Sequence, residues 1–282
     1  TLGFHGRRSH ELVDLERCPV LLPGLETLLA PLHDALAEAH GKGELLLLGT
    51  ERGRQALALH GARGKGLAER IADALDGRLD GVIVRPAADA TGADTHGLGE
   101  LDQEPPGATP FWTTPETFFQ ASPAANRLLR ARLDDWVGEV DGPILELFSG
   151  SGNFTRDLAR HAEVIAVESQ PAAVELARRN LEGLPVKLRT RDAAHAVAAL
   201  AERDTRPALV VLDPPRAGAR DVARALASLR APRILYVSCD PMTLARDVAV
   251  LAEGGYLLRR VGALDTMPQT FHFETVAELA LP

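Results

Sequence analysis

The residue types able to do chemistry gather in three stretches of this chain. Ile234 to Val237 is a short apolar run with β-branched residues, read as a buried strand, and Ser238 and Cys239 follow directly. Pro241 then opens a segment with helical spacing through Met242, Leu244, Ala245 and Val248. Cys239 therefore falls at the carboxyl end of a strand, where open α/β sheets keep their ligand crevice. A lone Cys is commonly a small buried hydrophobe, whereas a thiol at a crevice is a nucleophile type. Two further stretches favour the second reading. Val210 to Arg216 ends another apolar run with Asp213-Pro214-Pro215-Arg216, and Met267 to Glu274 brings a carboxylate late in the chain. A thiol, carboxylates and an Arg are parts for nucleophilic chemistry with proton transfer.

Positioning them is the task of the half-chain around them. Ile144 to Leu147 reads as a strand, Phe148 to Asn153 as a Gly-rich turn, and the next segment as a helix. Gly150 and Gly152 permit a tight turn and close backbone approach to a ligand. A dinucleotide fingerprint would carry a third Gly where Thr155 stands. Val164 to Glu168 is the next strand and ends in an acid, the residue type that binds ribose hydroxyls in dinucleotide and S-adenosylmethionine sites. The pair of features signals a nucleoside-containing cofactor. Helical and strand patterns then alternate over 172–181, 186–188, 208–212, 220–229, 234–237 and 243–252. This alternation predicts a mostly parallel sheet with helices on both faces. Residues 254–265 and 271–279 read as a terminal antiparallel pair. Asp247 reads as a surface charge on the helix after Pro241. Ser122 and Pro123 have the types of an N-cap and first helical residue for a helix to Val137.

Residues 1–115 read as a smaller α+β domain, with strands at 9–15, 44–48, 54–60 and 81–85 and helices at 23–40 and 67–75. That β-α-β-β-α-β order is the split-βαβ, ferredoxin-like arrangement. RNA-recognition modules share it but stack bases on sheet aromatics; these strands have none, which favours a scaffold role. Residues 86–110, rich in Gly, Pro, Asp and Thr, read as a connecting loop, and 116–282 as the second domain.

Asp213-Pro214-Pro215-Arg216, Ser238-Cys239-Asp240-Pro241 and Pro268-Gln269-Thr270-Phe271-His272-Phe273-Glu274-Thr275-Val276, in this order, resemble the three motifs of the RNA (uracil-5-)-methyltransferase family. The resemblance implies a Rossmann-like class I methyltransferase sheet and methyl transfer from S-adenosylmethionine to C5 of a uridine in RNA. By resemblance Cys239 is the nucleophile that adds to uracil C6, and Glu274 the general base that removes the C5 proton. Gln120, Phe148, Gly150, Asn153, Glu168, Asp192 and Asp213 would contact the cofactor, and Phe119, Asp213 and Arg216 the substrate. Arg216 could favour the thiolate. His272, two residues from Glu274, would share its face if both lay on a strand. Three positions depart from the family pattern: Ser122 and Asp240 where Asn is usual, and Ser149 where Cys is common. Asp240 would oppose thiolate formation if its carboxylate lay near Cys239. The likeness is greatest to the iron–sulfur, ribosomal-RNA type. Cys18, in Arg17-Cys18-Pro19-Val20, matches the last cluster ligand of that type; one Cys cannot hold a 4Fe-4S cluster, so the other ligands would belong to a longer native chain. Many members also carry an N-terminal β-barrel domain, to which nothing in these residues corresponds. The chain opens on Thr1 rather than Met, which points to upstream sequence.

The 282 residues are 45% hydrophobic and 25% charged, ordinary for a globular protein. No apolar run approaches the roughly 20 residues of a membrane helix, and no signal peptide opens the chain. Two cysteines make no disulfide framework and suit a reducing, cytoplasmic setting. The formal charge of −8 argues against indiscriminate nucleic-acid coating but not against a local basic surface. The expected partner is RNA, ribosomal RNA ahead of tRNA, bound by a monomer. Two other readings compete: a methyltransferase of exocyclic amines, in which an aromatic residue would stand at Arg216, and an RNA-binding or assembly factor without activity.

Overall fold

In the computed structural model the chain divides into two units, Thr1–Thr117 and Phe118–Pro282. All residues are described except 7, 8, 38, 88–91, 204, 269 and 271. Gln269 and Phe271 of the third motif thus lie outside the described residues.

In the first unit, β1 (Gly3–His5) and β2 (Leu12–Asp14) form a hairpin of their own. α1 (Pro23–Glu26) and α2 (Leu29–Leu36) replace the single helix expected over 23–40. Pro31 has no N–H to continue a ladder and is tolerated only in a helix's first turn, so the helix restarts around it. A four-stranded sheet follows in the order β3 (Glu44–Gly49), β4 (Gln55–His60), β5 (Gly81–Arg85) and β6 (Asp94–Gly97). β3 and β4 are antiparallel, α3 (Leu67–Ala74) makes the parallel crossover from β4 to β5, and β6 returns antiparallel. Leu28, Leu32, Leu57, Leu67, Ile71 and Val82 form the core between helices and sheet.

The α+β character holds, but the strand connections are not the split βαβ. Leu12–Asp14 is exposed throughout and pairs with Gly3–His5, so it cannot enter the sheet. The sheet is completed instead by β6, inside the stretch expected to be a loop. Asp94 at its start accepts the Ala68 N–H at the beginning of α3 (3.1 Å), which ties this polar strand to the helix. β7 (Leu101–Asp102), in the same stretch, pairs with β8 (Trp112–Thr113) just beyond it.

The second unit is a seven-stranded sheet. Its elements in chain order are α4 (Pro123–Val137), β9 (Ile144–Leu147), α5 (Thr155–Leu158), β10 (Val164–Glu168), α6 (Pro171–Asn180), β11 (Val186–Thr190), α7 (Ala193–Glu202), β12 (Leu209–Leu212), α8 (Arg220–Leu229), β13 (Arg233–Ser238), α9 (Pro241–Glu253), β14 (Leu257–Leu264) and β15 (Glu274–Ala280). The strand order is β11-β10-β9-β12-β13-β15-β14, parallel from β11 to β13 and antiparallel at β15 and β14. Alternate residues of each strand feed the two faces, as the period of two requires. Leu145, Val210, Leu212, Ile234 and Tyr236 join the core under α7, α8 and α9. Ile144, Leu209, Val211, Leu235 and Val237 join the core under α4 and α5. The chain leaves β9 in one direction to β10 and later returns to its other side with β12. This is the switch point of the sheet, and its carboxyl end is where such folds bind ligands.

Candidate active site

Two clusters occupy that carboxyl edge. The first is the turn after β9. Phe148, Gly150 and Gly152 all have positive φ (61°, 55° and 94°), so the chain turns sharply and a bulky residue is held in the left-handed region at Phe148. A Cβ added at Gly150 would meet nothing within 4 Å, leaving its backbone open to a ligand. Glu168, at the end of β10, accepts the Gly150 N–H through Oε2 (2.9 Å). Its Oε1 accepts the N–H groups of Ser169 (2.7 Å) and Gln170 (2.8 Å). Glu168 therefore fixes the Gly-rich turn and its own strand end together. Asn153 is joined to buried Asn126 of α4 by two amide hydrogen bonds (3.0 and 2.9 Å). Ser122 caps α4 by accepting the Ala125 N–H (3.2 Å), and Phe119 and Gln120, just ahead of it, are half-buried.

The second cluster lies at the ends of β12, β13 and β15. Cys239 is half-buried one residue past β13, and Glu274, 4% exposed, opens β15. Ser238 pairs with Thr275, so the antiparallel register carries Cys239 and Glu274 to facing positions. Glu274 Oε2 is buried without a hydrogen-bond partner. Burial raises the Glu274 carboxyl above the usual range, against the opposing pull of the Arg216 charge. Burial also raises the Cys239 thiol, reinforced by Glu274 and Asp213; Arg216 opposes the rise by its charge and by a hydrogen bond to the thiol. Asp213, one residue past β12, is pushed up to about 8 by burial and by the Glu274 charge. These four residues from three separate motifs thus meet in one site.

Other expectations fare differently. Asp192 is exposed and caps α7, accepting the His195 N–H (3.0 Å). Asp240 turns its carboxylate to the start of α9, accepting the N–H groups of Met242 (2.8 Å) and Thr243 (3.0 Å), a task that Asn performs as well. His272 precedes β15 rather than lying on it, so the strand alternation does not place it on the face of Glu274. Cys18 is a buried free thiol, 6% exposed, and no group of three or more His, Cys, Asp or Glu suited to a metal occurs among the described residues.

Asp247 is not a surface charge. It is fully buried and accepts the Ala219 N–H (2.6 Å), the Tyr236 O–H (2.8 Å) and the Arg246 Nε–H (2.9 Å). Its position on α9 faces the sheet, and polar partners there make burial tolerable. Sequence reading also passed over Glu146. It is 3% exposed on β9, has an unpartnered Oε2, and is pushed up to about 8 by burial and by the charges of Asp213, Asp157 and Glu168. Its signal in the sequence was an acid inside an apolar strand, four residues before Gly150.

The sheet order is that of the class I methyltransferase fold. Residues 144–230 match the family model described as Methyltransferase domain. Residues 197–280, which hold all three motifs, match the model described as tRNA (Uracil-5-)-methyltransferase. The chain is 36% identical, over 98% of its length, to the 23S rRNA (uracil(1939)-C(5))-methyltransferase RlmD of Aeromonas salmonicida, of which it covers 64%. It is 35% identical, over its whole length, to the enzyme of the same name from Halomonas elongata, of which it covers 62%. The chain thus spans less than two thirds of the length of these relatives. Its fold is shared, with a TM-score of 0.75 at 24% identity, by the Pyrococcus abyssi tRNA (uracil-54, C5)-methyltransferase solved in complex with S-adenosyl-L-homocysteine, covering 98% of this chain and 72% of that one. No helix among the described residues is long and apolar enough to cross a membrane.

Proposed function

We propose that this chain transfers a methyl group from S-adenosylmethionine to C5 of a uridine in RNA, through a covalent bond between Cys239 and C6. One observation carries the reading: Cys239 and Glu274 face each other with Asp213 and Arg216 beside them, at the switch-point edge that also holds the Gly150 turn. Uracil C5 is a poor nucleophile, and addition of a thiolate at C6 makes it enolate-like. The bound cofactor supplies a methyl group on a sulfonium. Glu274 then takes the proton from C5, and the thiolate leaves. A raised carboxyl suits a general base that must hold that proton near neutral pH. Arg216 stabilises the thiolate, and Asp213 holds the pyrimidine edge or the cofactor. Glu168 and the open Gly150 backbone hold the cofactor's nucleoside, with Gln120, Phe148 and Asn153 around it. Asp192, at the head of α7, and Phe119, ahead of α4, complete the cofactor and substrate contacts in this reading. The target uridine must leave its stack to reach such a crevice.

The RNA is ribosomal rather than tRNA, by likeness to the two relatives above. Two free thiols suit the cytoplasm. RNA carrying 5-fluorouridine tests the reaction, because fluorine cannot leave C5 as a proton and the adduct stays trapped. A denaturation-stable protein–RNA band bearing the labelled methyl group is expected. Methylation without such a band would indicate an exocyclic-amine enzyme, and neither would indicate an RNA-binding protein without this activity.

A further inference from the structure

Arg216 sits on the exposed loop between β12 and α8. That loop is gripped by the turn of α9 that carries Arg246 and Asp247. Asp247 Oδ2 accepts the Ala219 N–H (2.6 Å), and Arg246 Nη2 donates to the Ala217 carbonyl (2.9 Å). The two peptide groups flanking Gly218 are therefore gripped from one helical turn. Gly218 has φ of 75°, and a Cβ there would fall 2.7 Å from Asp247 Oδ2 and against Arg246 Nη2. The loop passes this helix at a distance only Gly permits. Tyr236, on the strand that leads to Cys239, donates to the same Asp247 oxygen (2.8 Å). Asp240, next to Cys239, caps the same helix.

We propose that Asp247, with Arg246, is a positioning residue that clamps the 216–219 loop to the Cys239-bearing strand and helix, and so seats the Arg216 guanidinium against the thiol. Neither residue touches substrate; both act through Arg216. Of the charged groups acting on the thiol, Glu274, Asp213 and Arg216, only Arg216 favours its anion. A fully buried carboxylate is costly to keep unless its geometry is needed, and here its oxygens join the loop, the strand and the helix.

The inference rests on Cys239 as the nucleophile, but its test needs neither cofactor nor RNA. The rate of iodoacetamide alkylation at Cys239, resolved from Cys18 by mass spectrometry, is measured against pH on the full chain. Arg216→Gln should move the midpoint up by about one unit, a roughly ten-fold slower reaction at neutral pH. Asp247→Asn should produce a comparable shift, and the double variant should add nothing to Arg216→Gln, as expected for groups acting as one unit. Additive shifts, or an Asp247→Asn protein with a lower Tm and an unmoved midpoint, would overturn the proposal. If Asp247→Asn lacks a native circular-dichroism spectrum, Arg246→Gln carries the same test, since it removes the Ala217 grip and the pair with Asp247 but keeps the Asp247 carboxylate that accepts the Ala219 N–H. A failed 5-fluorouridine trap would count against the methyl-transfer reading and leave this result standing.

Discussion

Cys239 stands across from Glu274. The ladder between β13 and β15 ends at Ser238 and Thr275, and the next residues on the two strands are the thiol and the carboxylate. Thirty-five positions of sequence separate them, yet antiparallel pairing makes them neighbours. The same pairing buries Glu274, so its carboxyl is raised by desolvation and pushes the thiol up in turn.

The two should fail differently when replaced. Cys239→Ala should abolish both methyl transfer and covalent complex, because only addition at C6 activates C5. Glu274→Gln should add and methylate but stall before elimination, leaving RNA bound through Cys239. Denaturing gels with labelled cofactor and a short RNA read both outcomes; normal turnover by Glu274→Gln would refute the division of labour.

The thiol should titrate high in the ligand-free chain. Alkylation of Cys239 is expected to rise with pH through a midpoint above the roughly 8.5 of a free Cys. Glu274→Gln, which removes the neighbouring negative charge, should bring that midpoint down. A wild-type midpoint well below the ordinary thiol value would contradict the electrostatics of the site.

Glu168→Ala should weaken S-adenosylhomocysteine binding by about 1–3 kcal/mol, the scale of losing a hydrogen bond to a charged group. It also frees the Gly150 N–H that Oε2 now accepts, so calorimetry should show a less favourable binding entropy as the turn is ordered by ligand. Unchanged affinity would remove Glu168 from the cofactor site.

Glu146 makes stability depend on pH in a definite direction. Its folded-state pKa, about 8, lies above the unfolded value near 4.5. The native state then binds more protons between these values, so its contribution is present at low pH and is lost as pH rises toward 8. Glu146→Gln should therefore lose less Tm between pH 5 and pH 8 than the wild type. An equal or steeper decline in the variant would show that Glu146 is not the titrating group.

Much of this site was legible in the chain alone because it depends on local chemistry. Apolar runs ending in Asp213, Cys239 or Glu168, the Gly150 turn, and the Ser122 cap with Pro123 are each set by residues within a few positions of one another, and the strand and helix patterns sort themselves by period. The long-range features were not legible. Leu12–Asp14 looked like a sheet strand, but its exposed side chains offer a sheet nothing to bury, and polar Asp94–Gly97 takes a place in the sheet through its backbone and its tie to Ala68. Asp247 reads as a solvated charge until Ala219, Tyr236 and Arg246 are brought around it. Glu146 becomes unusual only when its strand is central and carboxylates from β10 and β12 crowd it. Local sequence determines where polar groups end their strands; only the order and direction of the strands decides which of those groups meet, because burial and Coulomb interaction act through space and not along the chain.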